Sequence, residues 1–206
     1  MMFNFLVYVD NYISGFAKNN YSMVTAHIMN DGVHDIDELL VQIIERILNA
    51  IGPEKWHDKI FKIGKYMESV GFGGFNIKFK PPEDELRSIK DNLAFYLMGL
   101  VDNFKDKDGL FIVIDDIDGL SETPEFANWY KSFADTLATS IDDAPICIML
   151  IGYPEKFKRL YDHNSSVNRI FHTHELKGLS DADIKNFYTT IFSKYDIWNK
   201  LDSFEN

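Results

Sequence analysis

The feature that most constrains the fold is an apolar run, LFIVID at 110–115, whose last residue begins a carboxylate pair, Asp115 and Asp116. The run has the length of a strand and no alternation of apolar and polar residues, which is typical of a strand covered on both faces. A second such run, PICIMLIG at 145–152, follows. We therefore expect two buried strands in a sheet flanked by helices.

Apolar spacing along the rest of the chain predicts helices that alternate with strands. The predicted helices cover about 3–19, 36–50, 54–69, 83–104, 124–140 and 154–162, another opens at Ser180, and the further strands are at 22–29, within 71–80 and near 171–176. The Gly-rich segment 71–80 alternates like a half-buried strand or hairpin and is the expected insertion into the core. Alternating strands and helices predict an α/β fold with a mostly parallel sheet and helices on both faces.

Composition narrows the class of protein. Of 206 residues 46% are apolar, which is enough for a core, and the formal net charge of -11 disfavours nonspecific nucleic-acid binding. No apolar run approaches the ~20 residues that a membrane helix needs, and the N-terminus lacks a basic region and a cleavage site. We expect a soluble, cytoplasmic protein without a membrane partner. The single cysteine, Cys147, lies among apolar residues and is expected to be a buried, inert thiol.

The pair Asp115–Asp116 is the strongest chemical signal. In a parallel sheet the carboxyl ends of the strands face the ligand crevice. One carboxylate there can hold Mg²⁺, directly or through water, and its neighbour can polarise an attacking water. The alternative is that the two residues only end a strand and begin a loop. On the residues alone, both interpretations stay open.

Three segments together resemble the AAA+ and related signal-transduction P-loop ATPases of the ASCE class: FIVIDD, PICIMLIGYPEKF and HNSSVNRIFHTHELKGLSDADIKNFY. The resemblance covers about 22–195. It implies a Walker B strand with Asp115 at the Mg²⁺ position and Asp116 at the catalytic acid position, where the family more often has Glu. It also implies a nucleotide-sensing position near Tyr153 and an arginine finger at Arg169. The alternative role of Arg169 is a surface ion pair.

The chain departs from that family at the phosphate loop. The sequence contains no GxxxxGK[ST], whose amides, Lys and hydroxyl hold the phosphates and Mg²⁺. Gly64-Lys65 is followed by Tyr66 and lies inside a helical pattern. The resemblance then implies a P-loop NTPase-like three-layer sandwich missing its first strand and phosphate loop. Residues 1–178 would form this core and 179–206 the start of a truncated helical lid.

A missing first strand has a structural consequence. In the AAA+ sheet this strand lies between the fourth and fifth, so the strand at 145–152 would lack one neighbour. We expect the gap to be filled by self-association, by a rearranged sheet, or by a missing N-terminal segment or other protein partner.

Three functions remain possible for the chain. The first is a fragment of an ATP-hydrolysing domain: the intact parent would use ATP and Mg²⁺, and this chain would bind neither productively. The alternative is a degenerate, non-catalytic interaction module with the same fold. A doubly wound protein that binds a small ligand at its strand ends is a third possibility.

The pair His172 and His174 would share one face of a strand, but without a third ligand it is expected to be solvated rather than metal-bound.

Overall fold

In the computed structural model the described residues are 15–30, 32–51, 66–70, 76–102, 104, 106–141 and 143–194. The chain divides into two compact units between Phe171 and His172. In the first unit the helices are α1 (15–20), α2 (Ile36–Ile51), α3 (Glu83–Asp91), α4 (Leu93–Val101), α5 (Pro124–Ser140) and α6 (Pro154–His163). Its strands are β1 (Met23–Met29), β2 (Met67–Val70), β3 (Asn76–Phe79), β4 (Gly109–Asp115) and β5 (Ile146–Leu150), and a 3₁₀ turn covers Ser165–Arg169.

A small open parallel sheet organises the first unit. Its order is β1-β4-β5, with β4 in the centre and both pairings parallel. All seven residues of β4 are buried, as the unbroken apolar run predicts. Met29 is in register with Asp115, so β1 and β4 end at the same edge of the sheet. This confirms the α/β class and the strands at 22–29 and 110–115.

Apolar side chains cover both faces of β4. On one face, Leu110, Ile112 and Ile114 belong to the main core, which includes the apolar stripe of α2. On the other, Phe111 and Val113 pack with Ala17 of α1 in a smaller cluster. Because alternate residues of a strand point to opposite faces, a strand buried on both faces is expected to be apolar along its length, as β4 is up to Asp115.

The hairpin of β2 and β3 corrects part of the predicted helix at 54–69. Residues 54–65 lie outside the described residues, but Met67–Val70 is a strand that pairs antiparallel with β3. Two side chains of α2 hold β3: Asn49 Oδ1 accepts a hydrogen bond from Ile77 N at 3.0 Å, and Glu45 Oε1 accepts one from Phe79 N at 2.9 Å. These bonds hold β3 in place, and β3 in turn pairs with Met67–Val70. They join segments that are distant in sequence, so the apolar spacing within 54–69 could not predict them. Of the half-buried alternation predicted within 71–80, residues 71–75 lie outside the described residues, and the part in 76–79 is confirmed because Ile77 and Phe79 are buried.

Two other predicted elements differ. The helix at 83–104 is two helices, α3 and α4, which meet at Asn92, where φ is -127°. The strand near 171–176 is wrong, since these residues have no regular structure. From His172 onward they are exposed, so among the described residues no partner strand or core compensates for the entropy lost on ordering them. His172 and His174 therefore do not share the face of a strand.

The strand at 145–152 forms as β5 but is not fully buried. Most of its residues are half-buried, and Cys147 is exposed, which corrects the prediction of a buried thiol. Among the described residues β5 has one strand neighbour, β4, and this explains the exposure. The helices predicted at 36–50, 124–140 and 154–162 are confirmed as α2, α5 and α6.

The second unit contains α7 (Asp181–Lys194), which confirms the helix predicted to open at Ser180. Ser180 and Asp183 cap its start reciprocally, with Asp183 N donating to Ser180 Oγ at 3.2 Å and Ser180 N donating to Asp183 Oδ2 at 3.2 Å. The hydrogen bond from Ser180 lowers the pKa of Asp183. Across the described part of the whole chain, no helix combines the length and apolar character needed to cross a membrane.

Candidate functional site

The carboxylates of Asp115 and Asp116 lie where the central strand leaves the sheet. Asp115 is the last residue of β4 and is 7% exposed. Asp116 has φ of +61°, a left-handed conformation that Asp tolerates better than most residues. The chain therefore turns sharply directly after the strand.

Backbone amides bind both carboxylates. Asp116 N donates to Asp115 Oδ1 at 2.9 Å, and Asp118 N donates to Asp116 Oδ1 at 3.3 Å. The second bond spans two residues, as in an Asx turn. Each carboxylate thus stabilises the loop at 116–122, which is the structural role that the sequence left open.

The pKa of Asp115 is raised. Burial of the carboxyl group is the main cause, and the neighbouring charge of Asp116 adds to it. The hydrogen bond from Asp116 N and the nearby His27 act in the opposite direction. Because burial disfavours the charged form, a cation close to Asp115 would relieve this penalty.

Asn30 ties the end of β1 to the end of β4. Asn30 N donates to the Asp115 carbonyl at 2.9 Å, and Asn30 Nδ2 donates to the Asp116 carbonyl at 3.1 Å. Asn30 is 1% exposed, and its Oδ1 has no hydrogen-bond partner among the described residues. The sequence analysis assigned Asn30 no role, although an Asn directly after a buried strand is a usable signal for such a bridge.

Close backbone packing holds the 116–122 loop on its other sides. A Cβ on Gly119 would lie 2.4 Å from the Val33 carbonyl oxygen, so only glycine fits there. Ile117 N donates to the Ile151 carbonyl at 3.3 Å, and this bond joins the loop to the residue that follows β5. The loop is therefore anchored at the carboxyl ends of both outer strands.

A surface ion-pair cluster links this loop to α6. Lys156 Nζ is 2.9 Å from Glu122 Oε1 and 3.5 Å from Asp118 Oδ2, and Arg159 also pairs with Glu122. The hydrogen bond between Lys156 and Glu122 raises the pKa of the lysine and lowers that of the glutamate. Exposed pairs of this kind contribute little stability in water, so we assign the cluster an orienting role.

Tyr153 and Arg169 do not join the carboxylates. Tyr153 precedes α6, is 49% exposed, and uses its carbonyl to accept hydrogen bonds from Lys156 N and Phe157 N. Arg169 is exposed and donates to Ser166 Oγ at 2.9 Å. Within the described ranges, no hydrogen bond or ion pair connects either residue to Asp115 or Asp116. No described residue forms with Arg169 the surface ion pair that was its alternative role.

The donor set at the strand ends fits part of a Mg²⁺ shell. Mg²⁺ is usually bound by one or two carboxylates together with water and substrate phosphates. Over the residues that the structure describes, no group of three or more His, Cys, Asp or Glu side chains could hold a metal. Asp115 could anchor a Mg²⁺ that arrives with phosphate groups, but these residues do not form a metal site by themselves.

Comparison with known proteins does not identify a family for the chain. No protein-family model matches the chain, and neither the curated proteins nor the solved structures include a significant match to it.

Proposed function

We propose that the chain is a P-loop-ATPase-like core of the AAA+ type, in which Asp115 and Asp116 are the metal and water positions of a nucleotide site. One observation carries the proposal: a buried carboxylate lies at the carboxyl end of the central strand of a parallel sheet. This is the edge at which α/β sheets bind ligands. The P-loop topology is part of the proposal, and the sheet order β1-β4-β5, with one neighbour for β5, is consistent with it.

In the intact site, Asp115 would hold Mg²⁺ and Asp116 would orient the water. Bound Mg²⁺ neutralises charge that develops on the phosphates. Tyr153 would lie beside the nucleotide, and Arg169 would contact its terminal phosphate in cis or from a neighbouring subunit. Asp116 Oδ1 already accepts a bond from Asp118 N, so the catalytic role falls to its other oxygen.

The chain by itself should not bind nucleotide productively, because its sequence has no GxxxxGK[ST] to supply the phosphate contacts. Isothermal titration calorimetry of the folded chain with ATP and Mg²⁺ tests this directly. We expect no saturable heat at micromolar nucleotide. Saturable binding that Asp115→Asn abolishes would overturn this inactivity and identify a nucleotide site without a phosphate loop.

The coding DNA immediately upstream of the Met1 codon tests the ATPase origin. An in-frame strand followed by GxxxxGK[ST] would support it. A stop codon with no such motif would favour the second function, a non-catalytic interaction module.

The second function has its own supporting observation. Both carboxylates already accept bonds from their own loop, and a groove lined mostly by residues with apolar side chains lies between α5 and β5. A chain that had lost the reaction would keep such structural bonds and use the uncovered side of β5 for a partner. We propose a cytoplasmic location for either function, with self-association, a missing N-terminal segment or another protein covering β5.

A further inference from the structure

The outer edge of β5 carries unpaired backbone groups. On the inner side, the Pro145 carbonyl accepts a bond from Leu110 N at 2.8 Å, and Ile151 N donates to the Ile114 carbonyl at 2.9 Å. Pairing groups alternate along a strand, so the N–H and C=O of Ile148 and Leu150 point away from β4. No strand in the described part of the chain pairs with that edge, although the outward Ile146 N donates locally to the Ala144 carbonyl at 2.7 Å.

A groove of about 390 Å³ runs beside the same edge. Most of the residues that line it have apolar side chains: Phe133, Leu137 and Ala138 of α5 lie on one side and Ile146 and Ile148 of β5 on the other, with Ile141 and the acidic Asp143 nearby. Ile146 and Ile148 are half-buried, so a strand added at the edge would bring its own side chains over them. The edge and the groove therefore form one continuous surface.

We propose that this surface binds a second copy of the chain, with β5 antiparallel to its counterpart across a two-fold axis at Ile148. The outward N–H and C=O of Ile148 would then bond the same groups of the partner, and Ile146 would lie opposite Leu150. A two-fold axis perpendicular to the sheet would place both grooves on the same face of the joined sheet. There the α5 helices of the two copies would cover Ile146 and Ile148. The proposal goes beyond the nucleotide chemistry and does not depend on it.

Charge favours a second copy at this place. The chain carries a formal net charge of -11, so most contacts between two copies would repel. Residues 144–153 contain no Asp, Glu, Lys or Arg. Natural edge strands are usually protected by lysines, prolines or bulges, and β5 itself contains neither a charge nor a proline. Two identical edges can approach along residues 144–153 without bringing like charges together, and the acidic residue of the groove lining, Asp143, lies just before this segment.

The size of the contact requires the groove as well as the strand. Stable protein interfaces bury about 1,200–2,000 Å² in total, which a pair of five-residue strands alone does not provide. The α5 side chains that line the groove must therefore contribute. This separates the proposal from simple edge pairing, because a substitution on α5 should also disrupt the dimer.

Sedimentation equilibrium of the whole chain from micromolar to submillimolar concentration tests the proposal. We expect a reversible dimer with twice the chain mass. Cys147 and its counterpart would be diagonal neighbours at about 7–8 Å, so a short bismaleimide should cross-link them. Ala138→Glu adds a charge at the rim of the groove and should give a monomer. Thr139→Glu, one residue further on the same helix and outside the groove lining, should still give the dimer.

A second pair of variants probes the strand. Ile148→Pro removes an outward N–H without touching the ladder to β4, whereas Ile148→Val keeps that group. We expect a folded monomer for the first and a dimer for the second, with folding checked by circular dichroism. A wild-type chain that stays monomeric throughout the concentration range overturns the proposal and would assign the edge to a different protein. So would a dimer that survives Ala138→Glu and is not cross-linked through Cys147.

Discussion

The side-chain amide of Asn30 donates a hydrogen bond of 3.1 Å to the backbone carbonyl of Asp116, 86 residues further along the chain. Through this bond the end of β1 fixes the turn that follows the central strand β4, where Asp115 and Asp116 lie. The bond is part-buried, so its loss would leave the Asp116 carbonyl with reduced access to water.

Replacing Asn30 with Ala should therefore destabilise the fold. We expect a loss of about 1–3 kcal/mol in the free energy of unfolding, because a buried acceptor loses its donor. Urea denaturation followed by circular dichroism measures it. Asn20→Ala is the matched control, since Asn20 makes an exposed bond to the Phe16 carbonyl. Equal losses in the two variants would contradict the bridging role of Asn30.

Asp115 should make folding depend on pH in an unusual direction. Its pKa is raised from the ordinary 3.8, so its contribution to stability is complete below that value and is lost as pH rises through the higher folded-state pKa. The side chain introduced by Asp115→Asn cannot ionise, so the variant does not lose this stability as pH rises. Relative to wild type, the variant should gain stability as pH rises above 3.8, as measured by urea denaturation at each pH.

The control for this pH series is Asp162→Asn, at an exposed position of α6. Its difference from wild type should change less with pH than that of Asp115→Asn. If Asp115→Asn instead lost stability relative to wild type as pH rose, the charged form of Asp115 would be favoured in the fold and the assigned direction would be wrong.

Two glycine substitutions should change the free energy of unfolding in opposite directions. A Cβ on Gly119 would lie 2.4 Å from the Val33 carbonyl oxygen, so Gly119→Ala should cost about 1–3 kcal/mol through overpacking. Gly99, inside α4, has open space around it, and Gly99→Ala should add about 0.5–1 kcal/mol. Thermal unfolding of both variants checks the pair. A neutral Gly119→Ala would mean that the loop can move away from Val33.

Cys147 should react without unfolding. The residue is exposed, yet partial burial of its thiol raises the pKa above the ordinary 9.0, which lowers the thiolate fraction at neutral pH. In dilute folded protein we expect complete but slow reaction with a thiol reagent, slower than that of free cysteine. The rate should increase with pH. A reaction that requires urea would restore the original prediction of a buried thiol.

Part of the candidate site could be predicted from the sequence. LFIVID at 110–115 is apolar at every position but the last, which predicts a strand covered on both faces, and its end is then expected to place Asp115 and Asp116 at the edge of a parallel sheet. The bridge from Asn30 could not be predicted with the same certainty, because it depends on which strand pairs with β4. Sequence spacing does not record that choice.

The sequence by itself determined the elements whose pattern is local: the fully buried β4, the apolar stripe of α2, and the Ser180–Asp183 cap of α7. Tertiary structure decided the rest. Met67–Val70 became a strand because β3 pairs with it, and β5 became an edge because the described sheet ends there. Residues 171–176 have no regular structure because no described segment pairs with them. The physical reason is that a strand, unlike a helix, takes its hydrogen bonds from another segment of the chain.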